Sequence, residues 1–153
     1  MKFLVDLQLG GLAKWLRFCG FDAQFLPPGP SPALPPPAPD TFILARHRTS
    51  QGPDRPDLIM VAAPAPQDQL AEVFRRLGIT SQDLAPLSRC GRCNDLLTPV
   101  PRDHVLGAVP EHIFHTHQEF YQCPRCHQIF WPGSHLQEIS GKLREMLEKA
   151  ERE

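Results

Sequence analysis

The 153-residue chain is predicted to be mixed α/β: a small parallel sheet with flanking helices, then a metal-stapled unit, then a C-terminal helix. Three observations point there. Strand-like and helix-like segments alternate over about the first 80 residues, the pattern of parallel α/β units. Two C-x-x-C pairs, Cys90-Gly91-Arg92-Cys93 and Cys123-Pro124-Arg125-Cys126, stand 29 residues apart. Beyond them an apolar stripe at helical spacing runs almost to the last residue. The length suits one domain of about 100 residues plus a small metal-held one.

The first strand is Phe3-Leu4-Val5, closed by Asp6. From Leu9 to Cys19 the apolar residues Leu9, Leu12, Ala13 and Leu16 fall at i, i+3, i+4 and i+7, one face of a helix from which Lys14 and Arg17 point away. Gly20 stops that helix, and Ala23 to Leu26 reads as the second strand. Cys19, among Leu16, Phe18 and Phe21, is expected to be a buried free thiol. Residues 27–39 then hold eight prolines in thirteen positions. No helix runs through such a stretch, because proline lacks the N–H and clashes with the preceding turn. It reads as an exposed loop of polyproline character, either a connector or a ligand for a proline-binding module.

Thr41 to Ala45 is the third strand, followed by Arg46-His47-Arg48 and a loop holding Pro53 and Pro56. Leu58 to Ala62 is the fourth. Gln67 to Leu77 is a helix with Leu70, Val73, Phe74 and Leu77 on one face and Glu72, Arg75 and Arg76 on the other, ended by Gly78.

Each C-x-x-C pair spans a tight turn, so both of its sulfurs reach one ion, and two such pairs complete the tetrahedron of a structural Zn²⁺ site. The alternative, two disulfides, is disfavoured because closely spaced pairs make poor disulfides and nothing suggests secretion. Leu96 to Val100, Ile113 to Tyr121 and Ile129 to Trp131 read as the strands of a zinc ribbon. On that reading His112, His115 and His117 alternate along a strand, as a second metal site or as solvent-facing residues. Phe120, Tyr121, Phe130 and Trp131 either stack bases or form the ribbon's core. Ser134 to Ala150 is predicted helical, with Ser134 as N-cap and a frayed end from Glu148. His135 either donates to a thiolate or caps the helix. The expected units are residues 1–80, with the proline loop 27–39, a ribbon at 88–135 and the C-terminal helix at 136–153.

The net charge is −1 with 22% charged residues, so no global basic field announces a nucleic acid, and any such argument is local. Met1 to Leu9 is too short and polar for a signal peptide or membrane span. The expectation is a cytoplasmic protein with no membrane contact and no small-molecule cofactor.

Met1 to Asp6, Leu9 to Arg17, Gly20-Phe21-Asp22, Arg89-Cys90 to Cys93-Asn94 and Trp131-Pro132-Gly133-Ser134-His135 occur in an order that resembles the Mut-seven C-terminal RNase family. The resemblance implies a PIN-type nuclease domain followed by a zinc ribbon, and a metal-dependent ribonuclease with Asp6 as the first acidic residue. A PIN-type site needs several carboxylates around one or two Mg²⁺ or Mn²⁺ ions. Here the family's second acidic cluster falls in the region replaced by the proline loop, leaving Asp40 nearby. Its threonine-arginine-aspartate reads Ala45-Arg46-His47. Asp40 and His47 are therefore the candidate helpers, with Asp54 and Asp57 able to fold back. Two readings stay open: a ribonuclease with a degraded acidic site, or a nuclease-derived module that binds RNA or a protein partner without cutting. In the second, Lys14, Arg17, Arg46 and Arg48 hold phosphates, or the ribbon, with Arg89, Arg92 and Arg125 beside its thiolates, is the interaction surface.

Overall fold

The computed structural model describes residues 1–27, 34–46 and 55–132, and in the C-terminal segment 141, 142, 144, 145, 147–149 and 152. Strands β1 (Lys2–Val5), β2 (Asp22–Phe25), β3 (Thr41–Ala45) and β4 (Leu58–Met60) form one sheet in the order β2-β1-β3-β4. Every pairing in it is parallel, with Val5 level with Phe25 on one side and Leu44 on the other, and Leu44 level with Ile59. The predicted parallel α/β architecture is the one observed. Helix α1 (Gly10–Phe18) links β1 to β2, and α2 (Pro66–Leu77) follows β4.

The helical stripe explains the packing. Leu9, Leu12, Ala13 and Leu16 are all buried, as are Leu70, Val73 and Phe74 of α2, and they share one core with Phe3, Val5 and Leu44. Because residues in register point to the same face of a sheet, Phe3, Val5 and Leu44 form the helix-covered side. Phe21 packs edge-on between Phe3 (5.5 Å) and Phe74 (6.1 Å), the favourable aromatic arrangement. Cys19 lies in this core as a free thiol, as expected, and burial pushes it up to about 12. After α1, Gly20 adopts φ +99, and a Cβ there would meet the Ala85 carbonyl oxygen at 2.5 Å. Glycine is required twice over.

Residues after α2 build a second layer. Strands β5 (Thr98–Val100), β6 (Phe120–Gln122) and β7 (Ile129–Phe130) form an antiparallel sheet in that order. The stretch expected as one strand from Ile113 to Tyr121 is instead a short helix, α3 (Glu111–Thr116), followed by β6. Pro110 stands at the N-cap of α3 and the His117 N–H closes it on the Ile113 carbonyl, while Ile113 joins Val105 and Val109 against Phe120. His112 and His115 are therefore exposed residues of a helix, and His115 stands 3.7 Å from Glu111 one turn earlier. Phe120 is buried in this small core, which closes the base-stacking reading for it, and the half-buried Trp131 packs against it with ring centres 6.5 Å apart. The described C-terminal residues 141, 142, 144, 145 and 147–149 are helical. Leu147 joins the core of the parallel sheet, and Lys149 pairs with Asp68 of α2 at 2.9 Å. Ser134 and His135 lie outside the described residues. Among the described residues no helix is long and apolar enough to cross a membrane.

Candidate metal centre

The two C-x-x-C turns are built alike. In the first, the Cys90 N–H donates to the Asp95 carbonyl and the Asn94 N–H to the Cys90 carbonyl, both at 2.9 Å. In the second, the Cys123 N–H donates to the Gln128 carbonyl at 3.0 Å and the His127 N–H to the Cys123 carbonyl at 2.9 Å. Asn94 (φ 68) and His127 (φ 64) follow the second cysteine of each pair in the left-handed region, where Asn and His are among the more tolerant side chains. Backbone amides turn back toward sulfur: Cys93 N–H to Cys90 Sγ and Arg125 N–H to Cys123 Sγ, each at 3.4 Å.

The Sγ atoms of Cys90, Cys93, Cys123 and Cys126 all lie within 4.8 Å of one another, and Cys90 and Cys126 are 3.8 Å apart. A tetrahedron whose sulfurs stand about 2.3 Å from a central ion has edges of about 3.8 Å. A disulfide would need about 2.0 Å, and all the cysteines are free. The N–H of Gln128 draws Cys126 down to about 7, whereas burial pushes Cys93 up to about 12. A divalent ion bound there would supply the charge that holds all four as thiolates. The donor set fits a metal ion bound entirely by protein, with no position left for substrate.

The acidic residues are arranged differently. Asp6 lies at the C-terminal end of β1, where open α/β sheets bind ligands, and its Oδ1 accepts the Gln8 N–H at 3.1 Å. Asp40 does not join it. Thr41 pairs with Lys2, so Asp40 precedes β3 at the opposite edge, about 16 Å from Asp6 along the strands, and its carboxylate holds the N-terminal ammonium at 2.8 Å. As a helper for Asp6 it is excluded by the parallel register. Asp57 also precedes its strand, and Arg55 grips it with two bonds of 2.9 and 2.7 Å that hold its carboxyl below the usual range. Among the described residues, the four cysteines are the group of metal-ligating side chains that converges. His47, Arg48 and Asp54 lie outside the described residues.

Of the expected phosphate-binding cations, Lys14 is exposed on α1, its ammonium 5.7 Å from the Phe18 ring. Arg46 follows β3 beside the Asp6 edge, half-buried and bonded to the Ala63 carbonyl. Arg17 is a correction: it is 7% exposed. Helix α1 runs antiparallel to β1, so it carries Arg17 away from Asp6 to the other edge, where the metal centre docks.

A family model described as Mut7-C RNAse domain matches residues 1–143. The chain belongs to the Mut7-C RNAse domain family. Comparisons with the curated proteins and with the solved structures give no match.

In this Mut7-C chain the uncommon sequence blocks meet in space. Arg17 Nε donates to the Ala23 carbonyl at 2.9 Å, and its Nη1 to the carbonyls of Gly91 (3.2 Å) and Arg92 (3.1 Å), while its guanidinium lies 5.2 Å from the Phe25 ring. Desolvation pushes this guanidinium below its ordinary value, and Cys90, Cys93 and Asp22 pull the other way. Asn94 Oδ1 accepts the Ala23 N–H at 3.1 Å and its Nδ2 donates to Asp22 at 2.7 Å. Arg89 reaches the carbonyls of Gly20 and Asn94, and Arg125 pairs with Asp95 at 2.9 Å. A Cβ on Gly91 would stand 2.7 Å from the Phe18 ring. Asn94 and Asp22 were not candidate functional residues on sequence grounds. Their signal was an asparagine directly after a C-x-x-C pair.

Proposed function

We propose that this Mut7-C protein binds RNA at the C-terminal edge of its parallel sheet without Mg²⁺-dependent cleavage, and that the four cysteines hold a structural Zn²⁺. The observation that carries the reading is the placement of the acids. Asp40 and Asp57 lie toward the other edge and are committed to ion pairs, which leaves Asp6 without a described carboxylate cage. One carboxylate holds Mg²⁺ poorly, because that ion demands near-ideal octahedral geometry and gives up water reluctantly. Family membership supports RNA as the ligand, and Arg46, directly after β3, is a described cation beside the Asp6 edge, while Lys14 is an exposed cation whose ammonium lies over Phe18. Four sulfur ligands in a tetrahedron favour zinc over harder ions, and their closed coordination supports a structural role.

The test pairs binding with cleavage. Fluorescence anisotropy with single-stranded and hairpin RNA is expected to show salt-dependent binding that weakens in Arg46→Ala. The same RNAs, incubated with Mg²⁺ or Mn²⁺, are expected to remain intact. Cleavage abolished by Asp6→Asn would restore the ribonuclease reading. Absence of binding to any RNA would favour a protein partner instead.

A further inference from the structure

A guanidinium taken out of water is costly unless charge and hydrogen bonds compensate it. Arg17 satisfies the second requirement with three bonds to backbone carbonyls. The first is met only in part by a carboxylate: Asp22, itself bonded to Asn94, acts on Arg17 through space, but no described ion pair includes Arg17. Two of the three carbonyls, those of Gly91 and Arg92, belong to the turn between Cys90 and Cys93, so the buried cation lies against the back of the metal centre. Four thiolates outweigh one divalent cation, and a loaded site is therefore an anion.

We propose that Arg17, a residue of the helix beside the parallel sheet, is the charge partner and positioning residue of the metal centre, so that metal binding and docking of the first C-x-x-C turn onto α1 and β2 are one linked equilibrium. The cation offsets the excess negative charge of the loaded site, and its fork fixes the turn that carries Cys90 and Cys93. Asn94 clamps the same turn to Asp22 and Ala23, and Gly91 lets it approach Phe18 without a side chain between them. Linkage is reciprocal: whatever weakens docking weakens metal binding, and metal removal loosens the docked edge. The inference rests on the four cysteines holding a metal, which titration of the unmutated protein checks by itself.

The experiment uses the full chain, stripped of metal and titrated with Co²⁺, whose sulfur-to-cobalt absorption reports tetrathiolate coordination, and then with Zn²⁺ against a competing chelator. Arg17→Met is expected to lower metal affinity about 10–100-fold, the usual effect of losing an outer partner of a metal site. Arg17→Lys, which keeps the charge, recovers part of the loss, and Asn94→Gly weakens binding less than Arg17→Met. Unchanged affinity in Arg17→Met overturns the proposal, and so does equal loss in Arg17→Met and Arg17→Lys. Should Arg17→Met not fold, amide exchange in the unmutated protein decides. The Ala23 N–H, held by Asn94, must exchange faster once the metal is removed, and unaltered protection overturns the linkage. Failure of the unmutated protein to take up metal would sink the metal reading first and the proposal with it.

Discussion

Asp6 and Cys19 show how far one side chain's role depends on its surroundings. Asp6 has the position of a catalytic acid but the bonding of a cap: its Oδ1 takes the Gln8 N–H at the start of a short 3-10 turn, Leu7–Leu9. Asp6→Ala is expected to cost about 1 kcal/mol of stability, while Asp6→Asn, which keeps an acceptor oxygen, costs less. Urea melts of the two variants measure the difference. Cys19 is sealed in the core with its thiol held up at about 12. It should resist alkylation at pH 8 in the native protein and react on unfolding. A thiol whose pKa is raised by folding contributes its full stability below its ordinary value near 9, and that contribution declines as the pH climbs toward 12. The alkaline loss of stability should be shallower in Cys19→Ala than in the unmutated protein.

At the scale of elements, periodicity settles what faces what. The stripe of α1 fills the space between sheet and α2, so Leu16→Ala should cost about 2–5 kcal/mol, read as a shift in the thermal midpoint. The turn between Cys90 and Cys93 is held by contact rather than by a stripe. Gly91→Ala puts a methyl 2.7 Å from the Phe18 ring, and the rearrangement it forces is expected to cost about 1–3 kcal/mol. Phe18→Leu, which makes room, should relieve part of that cost in the double variant. The misread element, Ile113 to Tyr121, also belongs here. Its alternation of His with Phe and Thr imitates a strand, whereas the fold caps a short helix at Pro110 and buries only Ile113 of it against Val105, Val109 and Phe120.

For the whole molecule, the parallel sheet separates two edges. Asp6 and Arg46 stand at the C-terminal ends of the strands, while Gly20, Asp22 and Ala23 meet the metal-binding turn near the other end. Loss of metal should therefore act first on the docked edge. Cys123→Ser is expected to expose residues 88–132 to proteolysis, since metal binding in small domains supplies folding free energy on the order of 10 kcal/mol. The α1–α2 core should keep its protection, and a variant digested at the same rate as the unmutated protein in both regions would refute this. Metal retention should also fall as the pH drops, because protons compete for the thiolates. Elemental analysis after dialysis at stepped pH follows it, with about one equivalent expected at neutral pH.

Read alone, the chain specified its local chemistry. Hydrophobic period set the strands and the two long helices, glycine and proline set where they stop, and the cysteine spacing set a four-sulfur site, because these depend on neighbours within a few residues. What the tertiary structure decided depends on distant pairings. The parallel register carried Asp40 and Asp57 away from Asp6, and the antiparallel course of α1 took Arg17 from the proposed RNA edge into the back of the metal centre. Spacing along the chain does not encode which end of a strand a residue reaches in space. That follows only when strands far apart in sequence pair, and there the contacts of Arg17, Asp22 and Asn94 were decided.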